Sequence, residues 1–189
     1  MLTQNQRFVI SIIRKSLGIK DDFDSSISDS DTNEIIQIIL KNGILLTVFP
    51  TLPEKIQLQL KMKYNASLKQ AILQEYEGKA VLSDLSNSGM NCIALKGWEL
   101  RKLYPDTTMR QMADLDILVK PYDFEKLRPI MDKLDFDSGS ESSWKHDNFT
   151  KGKITVEMHK RLTDDSGIIQ KWESQIWDRA EKVDGHIYK

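Results

Sequence analysis

Apolar residues in the first 88 positions recur at three- and four-residue spacing, which predicts amphipathic helices. The first helix ends at Gly18, and its apolar face is made by Phe8, Val9, Ile12, Ile13 and Leu17. A second helix is predicted after Asp31, which we expect to cap it together with Glu34 as the reciprocal partner. A third, long helix is predicted from Pro53 to Ser88.

After Gly89 the pattern changes to short apolar runs separated by turns. We predict strands at 91–95, 114–119, 143–150 and 153–162, helices at 98–104, 121–134 (kinked at Pro129) and 168–183, and a polar loop at 137–143. This order predicts an α+β fold in which helices cover a small mixed β-sheet. The expected organisation is an N-terminal helical region at 1–88 and an α+β domain at 89–189, or one compact unit of both.

Residues 21–31 break this pattern, because five aspartates and four serines leave little apolar surface to bury. We therefore interpret this stretch as an acidic linker between the first two helices.

Composition narrows the function classes. Basic and acidic residues number 27 and 28, and a net charge of −1 argues against generic nucleic-acid or membrane binding. No apolar run approaches the ~20 residues that a membrane span requires. The single Cys92 lies in an apolar run and predicts a buried, inert thiol. Together with the lack of a secretory signal at the start, it leads us to expect a cytoplasmic protein. Oligomeric state is not readable.

The strongest chemical signal is a pair of carboxylates, Asp114 and Asp116, at the start of a β-branched run. In a strand the two side chains point to one face, roughly 7 Å apart at Cα. Because neighbouring anions repel each other, a divalent cation is expected there, and oxygen ligands suit Mg²⁺.

A third carboxylate, Glu157, is predicted on the polar face of a strand that can lie beside the first one. Three such acids suffice for two Mg²⁺ ions ~3.5–4 Å apart, the arrangement that supports in-line displacement at phosphorus. Glu157 would be a ligand or a base. We interpret His159, two residues further on, as a satisfied or exposed histidine, not as a ligand.

Phosphate contacts are expected from residues upstream of the acidic pair. Lys96 and Gly97 follow a predicted strand and open a helix, where backbone N–H groups and an ammonium can meet phosphate. Arg110 lies four residues before Asp114 and could reach a phosphate or brace a carboxylate. Each of these residues alone is most often a turn or a solvated side chain, so the prediction depends on their joint order.

That order resembles the uncharacterised nucleotidyltransferase family, a branch of the DNA polymerase β-like nucleotidyltransferase superfamily. The resemblance covers about 91–162 through Leu95-Lys96-Gly97, the Arg110 to Val119 segment and Val156-Glu157-Met158-His159. It implies a polymerase β-like mixed sheet, Asp114, Asp116 and Glu157 as catalytic metal ligands, and Mg²⁺ as the cofactor, with Mn²⁺ as a substitute. It also implies transfer of a nucleoside monophosphate from an NTP to an acceptor, releasing pyrophosphate.

Two positions depart from the superfamily pattern. Trp98 follows Gly97 where a serine is usual, so Lys96 and backbone N–H groups would have to bind the triphosphate. The third acid is a glutamate instead of the commoner aspartate.

Other functions stay open at this point. The chain could be a non-catalytic nucleotide-binding or interaction module on the same fold, which the substitution at Trp98 favours somewhat. It could also be a toxin- or antitoxin-like nucleotidyltransferase that modifies a protein or tRNA, although the near-neutral charge argues against tRNA. The sequence does not identify the NTP or the acceptor, which could be a small molecule, a sugar or a protein.

Overall fold

A computed structural model of the chain describes residues 1–20, 31–142, 145–163, 171, 173 and 175–189. Its helices are α1 (Gln4–Ser16), α2 (Thr32–Lys41), α3 (Leu45–Val48), α4 (Glu54–Asn87), α5 (Lys96–Leu100), α6 (Leu127–Lys133) and α7 (Ile176–Arg179). Its strands are β1 (Cys92–Ala94), β2 (Leu115–Val119), β3 (Asp137–Ser142), β4 (His146–Lys151), β5 (Ile154–His159), β6 (Lys182–Asp184) and β7 (Ile187–Tyr188). Helices and a mixed sheet confirm the predicted α+β class.

The chain packs as two units. Unit 1 contains Met1–Ile72 and Arg101–Gln111, and unit 2 contains Leu73–Leu100 and Met112–Lys189. Helix α4 contributes residues to both. The division of the protein into regions 1–88 and 89–189 stays a prediction.

Unit 1 is helical and is held by its own apolar core. The core residues come from α1, α2, α3 and the first turns of α4, and they include Phe8, Ile12, Ile35, Ile39, Leu45, Val48, Ile56 and Leu60. A hydrogen bond from the Thr47 hydroxyl to the Met109 carbonyl, 2.6 Å long, ties segment 101–111 to α3.

The N-termini of the first two helices differ from each other. Thr3 forms a reciprocal capping box with Gln6 at α1. The box predicted at Asp31 is wrong, because the Asp31 side chain makes no capping hydrogen bond. The Asn5 amide instead donates to both Asp31 and Glu34, at 3.3 and 2.5 Å, so a neighbouring helix supplies their partner.

Unit 2 is built on one sheet. Its described strands lie in the order β3-β4-β5-β2-β1-β7-β6, and β2 runs parallel to β5 but antiparallel to β1. The buried face of the sheet packs with α4, α5 and α6 around one core, whose members include Val81, Leu85, Trp98, Ile117, Met131, Phe149, Val156 and Met158.

Three local predictions for this unit are wrong. Most of the predicted polar loop at 137–143 is strand β3, an edge strand whose backbone pairs with β4. The helix at 121–134 is a 3-10 turn over Pro121–Lys126 followed by α6, so Pro129 lies in the first turn of α6, where its missing N–H costs little. The helix predicted at 168–183 is wrong only at its end, because the described residues 171, 173 and 176–179 are helical whereas Lys182–Asp184 is a strand. The linker at 21–30 lies outside the described residues.

Cys92 is buried in β1, and burial raises the pKa of its thiol to about 12. The thiol is therefore neutral and inert, as the sequence predicted. Among the described residues, no helix combines the length and the apolar character needed to cross a bilayer.

Trp98 is a core residue and packs against α4 at Gly78. A Cβ atom at position 78 would lie 2.6 Å from Cζ3 and 2.8 Å from Cη2 of the Trp98 ring. Only a glycine lets the helix approach the indole this closely. The residue that departs from the superfamily pattern therefore stabilises the core of unit 2.

We predict that Gly78→Ala destabilises the protein, because the overpacking cost of ~1–3 kcal/mol exceeds the gain of about 1 kcal/mol in helix propensity. Urea denaturation measures the change in the free energy of unfolding. In a Trp98→Leu background the two contacts with the indole are removed and the 3.1 Å approach to Leu115 Cδ2 is left, so the same Gly78→Ala change should cost clearly less. Equal destabilisation in both backgrounds would contradict this packing account.

Candidate functional site

Two carboxylates meet where β2 and β5 run side by side. The register pairs Asp116 with Glu157 directly, and their neighbours Leu115 and Val156 pair on the buried face. Strand alternation produces this arrangement, since buried and half-buried residues alternate along β5. The sequence prediction that these two acids share a polar face beside each other therefore describes the structure correctly.

His159 joins the two carboxylates. Its Nε2 lies 2.9 Å from Asp116 Oδ1 and 3.5 Å from Glu157 Oε2. Because an ionised carboxylate only accepts, the imidazole N–H donates the shorter bond. This hydrogen bond lowers the pKa of the Asp116 carboxyl below its ordinary value, against the effect of burial, and the Lys96 ammonium acts in the same direction.

His159 was not predicted as a site residue. The sequence feature that could have revealed it is the two-residue spacing from Glu157, which places both side chains on the same strand face. The residue beside His159 on β2 is Leu118, not Asp116. The imidazole therefore reaches back along the strands to Asp116, and a one-dimensional pattern does not show such a reach.

Asp114 is placed differently from its predicted partners. It lies one residue before β2 and is half-buried. The donor atoms of Asp116, Glu157 and His159 all lie within 4.8 Å of one another, and among the described residues Asp114 is not part of that group. The structure thus brings together two of the three predicted acids, together with a histidine.

Lys96 connects β1 to the same cluster. The Leu95 N–H donates to the Asp116 carbonyl at 2.9 Å, and the Lys96 ammonium lies 3.7 Å from Asp116 Oδ2. The Lys96 side chain is 72% exposed, so the ammonium is open to a ligand. Its backbone has φ +33°, a region that residues with a Cβ rarely adopt. Such strain tends to persist at functional positions.

The two other predicted phosphate contacts have separate positions. Gly97 is half-buried in α5, directly after Lys96. Arg110 belongs to unit 1, where it follows a 3-10 turn over Thr107–Met109. Their part in phosphate binding stays a prediction.

The cluster fits a divalent cation. An ion with bonds of about 2.1 Å holds adjacent octahedral ligands about 3 Å apart and opposite ligands about 4.2 Å apart. The separations of 2.9 and 3.5 Å between His159 Nε2 and the two carboxylate oxygens fall close to this range. Asp116, Glu157 and His159 would hold the ion, since their donor atoms all lie within 4.8 Å of one another.

The site therefore consists of two acids on neighbouring strands of a mixed sheet, with the Lys96 ammonium close to them. Comparison with known proteins assigns the chain to a protein family. A family model described as "Uncharacterised nucleotidyltransferase" matches residues 21–188. The chain belongs to this uncharacterised nucleotidyltransferase family, as the sequence resemblance predicted.

Other comparisons add little. A search of curated proteins finds no match. Among solved structures, the chain is similar to the solution structure of the antibiotic-resistance factor ANT(2'')-Ia, with 14% identity and a TM-score of 0.42. The alignment covers 51% of this chain and 51% of that one, so the chain spans about half the length of this relative.

We predict that the usual preference of helices for alanine over glycine is reversed at position 96. Lys96→Gly should be more stable than Lys96→Ala by about 1 kcal/mol, because glycine adopts a positive φ without the Cβ penalty. Urea denaturation of the two variants gives the difference. Arg128, an exposed residue in α6, offers the matched control, where alanine should be the more stable replacement. A more stable Lys96→Ala would contradict the strained backbone.

Proposed function

We propose that this protein is a metal-dependent nucleotidyltransferase that moves a nucleoside monophosphate from an NTP to an acceptor and releases pyrophosphate. The observation that carries the proposal is the direct pairing of Asp116 with Glu157 across β2 and β5. Membership of a nucleotidyltransferase family supports the reaction class. A bond forms between an acceptor oxygen and the α-phosphorus of the NTP. The bond from the α-phosphorus to the oxygen that bridges to the β-phosphate breaks, and pyrophosphate leaves.

The acids have two tasks in this proposal. Asp116 and Glu157 hold a divalent cation, either Mg²⁺ or Mn²⁺, and Asp114 is proposed to complete a second ion position next to β2. When bound, the cation stabilises the negative charge that develops on the phosphoryl oxygens. Glu157, whose side chain is 24% exposed, is also open enough to accept the proton of an acceptor hydroxyl.

Lys96 is proposed to hold the triphosphate. Its ammonium lies 3.7 Å from Asp116 Oδ2. The Lys96 ammonium and a cation held by Asp116 would therefore lie close enough together to contact the same triphosphate. The strained backbone supports this role, because a glycine would be the easier residue here and would lack the charge. Gly97 and Arg110 are proposed as additional phosphate contacts.

The non-catalytic alternative was based partly on Trp98. Because this side chain is buried against Gly78 in the core, it does not obstruct a phosphate site, but it supplies no hydroxyl there, so Lys96 and backbone N–H groups would have to bind the triphosphate. The acceptor stays open among small molecules, sugars and proteins, and a cytoplasmic location remains an expectation.

We predict that Asp116→Asn abolishes metal-dependent nucleotidyl transfer, with a loss of about 100-fold or more. The asparagine keeps the shape of the side chain but removes one of the two paired charges. Labelled NTPs, incubated with the protein, Mn²⁺ or Mg²⁺ and a cell lysate as acceptor source, report labelled product and pyrophosphate.

Asp132→Asn is the matched control, because Asp132 is exposed in α6 and its carboxylate lies 3.9 Å from Arg128. It should retain full activity. Unchanged transfer in Asp116→Asn would contradict the proposal. If the wild-type protein binds NTP and metal but forms no product with any acceptor pool, the non-catalytic function is favoured instead.

A further inference from the structure

The Asp116–Glu157 pair has a nitrogen donor beside it that an all-carboxylate site lacks. His159 Nε2 lies within 3.5 Å of an oxygen from each acid. The side chains of Asp116 and His159 are only 11% and 13% exposed, so water does not separate these atoms freely. Any cation that binds both carboxylates must therefore come close to Nε2.

The imidazole has little room to move away. His159 is the last residue of β5, and its ring lies against that of His146, with centroids 5.3 Å apart and planes inclined by 46°. These two residues face each other in the register of β4 and β5. A cation between the acids would repel a protonated imidazole, whereas a neutral imidazole, with its proton on Nδ1, offers it the Nε2 lone pair.

From this geometry we infer that His159 is a nitrogen ligand in the cation site and makes the site select Mn²⁺ over Mg²⁺. This inference rests on the proposed function for the presence of a cation. Mg²⁺ is a hard ion that prefers oxygen ligands, whereas an imidazole adds affinity for first-row transition ions. Mn²⁺ accepts such a mixed ligand set and keeps the octahedral geometry that phosphate transfer uses.

Metal binding to the full chain tests the inference without an activity assay. Isothermal titration should show Mn²⁺ bound more tightly than Mg²⁺, with an affinity ratio about tenfold larger in the wild-type protein than in His159→Gln. Pulsed EPR of bound Mn²⁺ in protein labelled with ¹⁵N-histidine should show a directly coordinated nitrogen. An absent nitrogen coupling in the wild-type protein, or equal affinities for the two ions, would overturn the inference.

The three histidines of the chain provide matched variants. His159→Gln should lose the ¹⁵N coupling and lower the affinity for Mn²⁺ about tenfold, while the affinity for Mg²⁺ changes little. His146→Gln and His186→Gln should keep the coupling, because neither belongs to the donor group. Coupling that persists in His159→Gln, or equal losses for both ions, would show that His159 only supports the structure.

The inference and the proposed function fail in different ways. Nitrogen-coordinated Mn²⁺ in a protein that transfers no nucleotide would support the inference and contradict the function. Nucleotidyl transfer with an ion coordinated only by oxygen would support the proposed function and contradict the inference.

Discussion

The candidate site of unit 2 is built around two like charges that are held side by side across a parallel strand pair. Strands β2 and β5 place Asp116 next to Glu157, and neighbouring strands are only about 4.8 Å apart. Like charges directly opposite each other destabilise a sheet. The protein offsets this repulsion with an imidazole N–H at 2.9 Å and an ammonium at 3.7 Å. A site of this kind can accept further positive charge, which a divalent cation would supply under the proposed function.

The apolar side of the same strands keeps the acids in register. Leu115 and Ile117 on β2 face Val156 and Met158 on β5, and all four are almost fully buried. A slip of one residue would bury Asp116 and expose its apolar neighbours, so the core fixes which carboxylates meet. The close contact between Trp98 and Gly78 belongs to this core, and Trp98 follows Lys96 by two residues in the same helix, α5. Packing thus determines where the polar side chains can act.

Much of this arrangement was predictable from local patterns. Alternation along Ile154–His159 placed Glu157 on the polar face, and the run after Asp114 predicted β2. The parts that failed depend on contacts with other helices and strands, which the pattern within one segment does not show. Asp31 finds its partner in Asn5 of another helix, and polar residues 137–142 form a strand only because β4 pairs with them. His159 was missed because its ring leans back to Asp116, past the residue that it faces in the register.

Asp116 and Glu157 are together proposed to hold a divalent cation at the nucleotide site. Anomalous diffraction from crystals grown with Mn²⁺ and a non-hydrolysable NTP is the decisive measurement. We expect an anomalous peak within about 2.2 Å of one oxygen from each carboxylate, with the triphosphate on the side of Lys96. A bound nucleotide whose metal lies away from both carboxylates, or crystals without a peak between them, would contradict it.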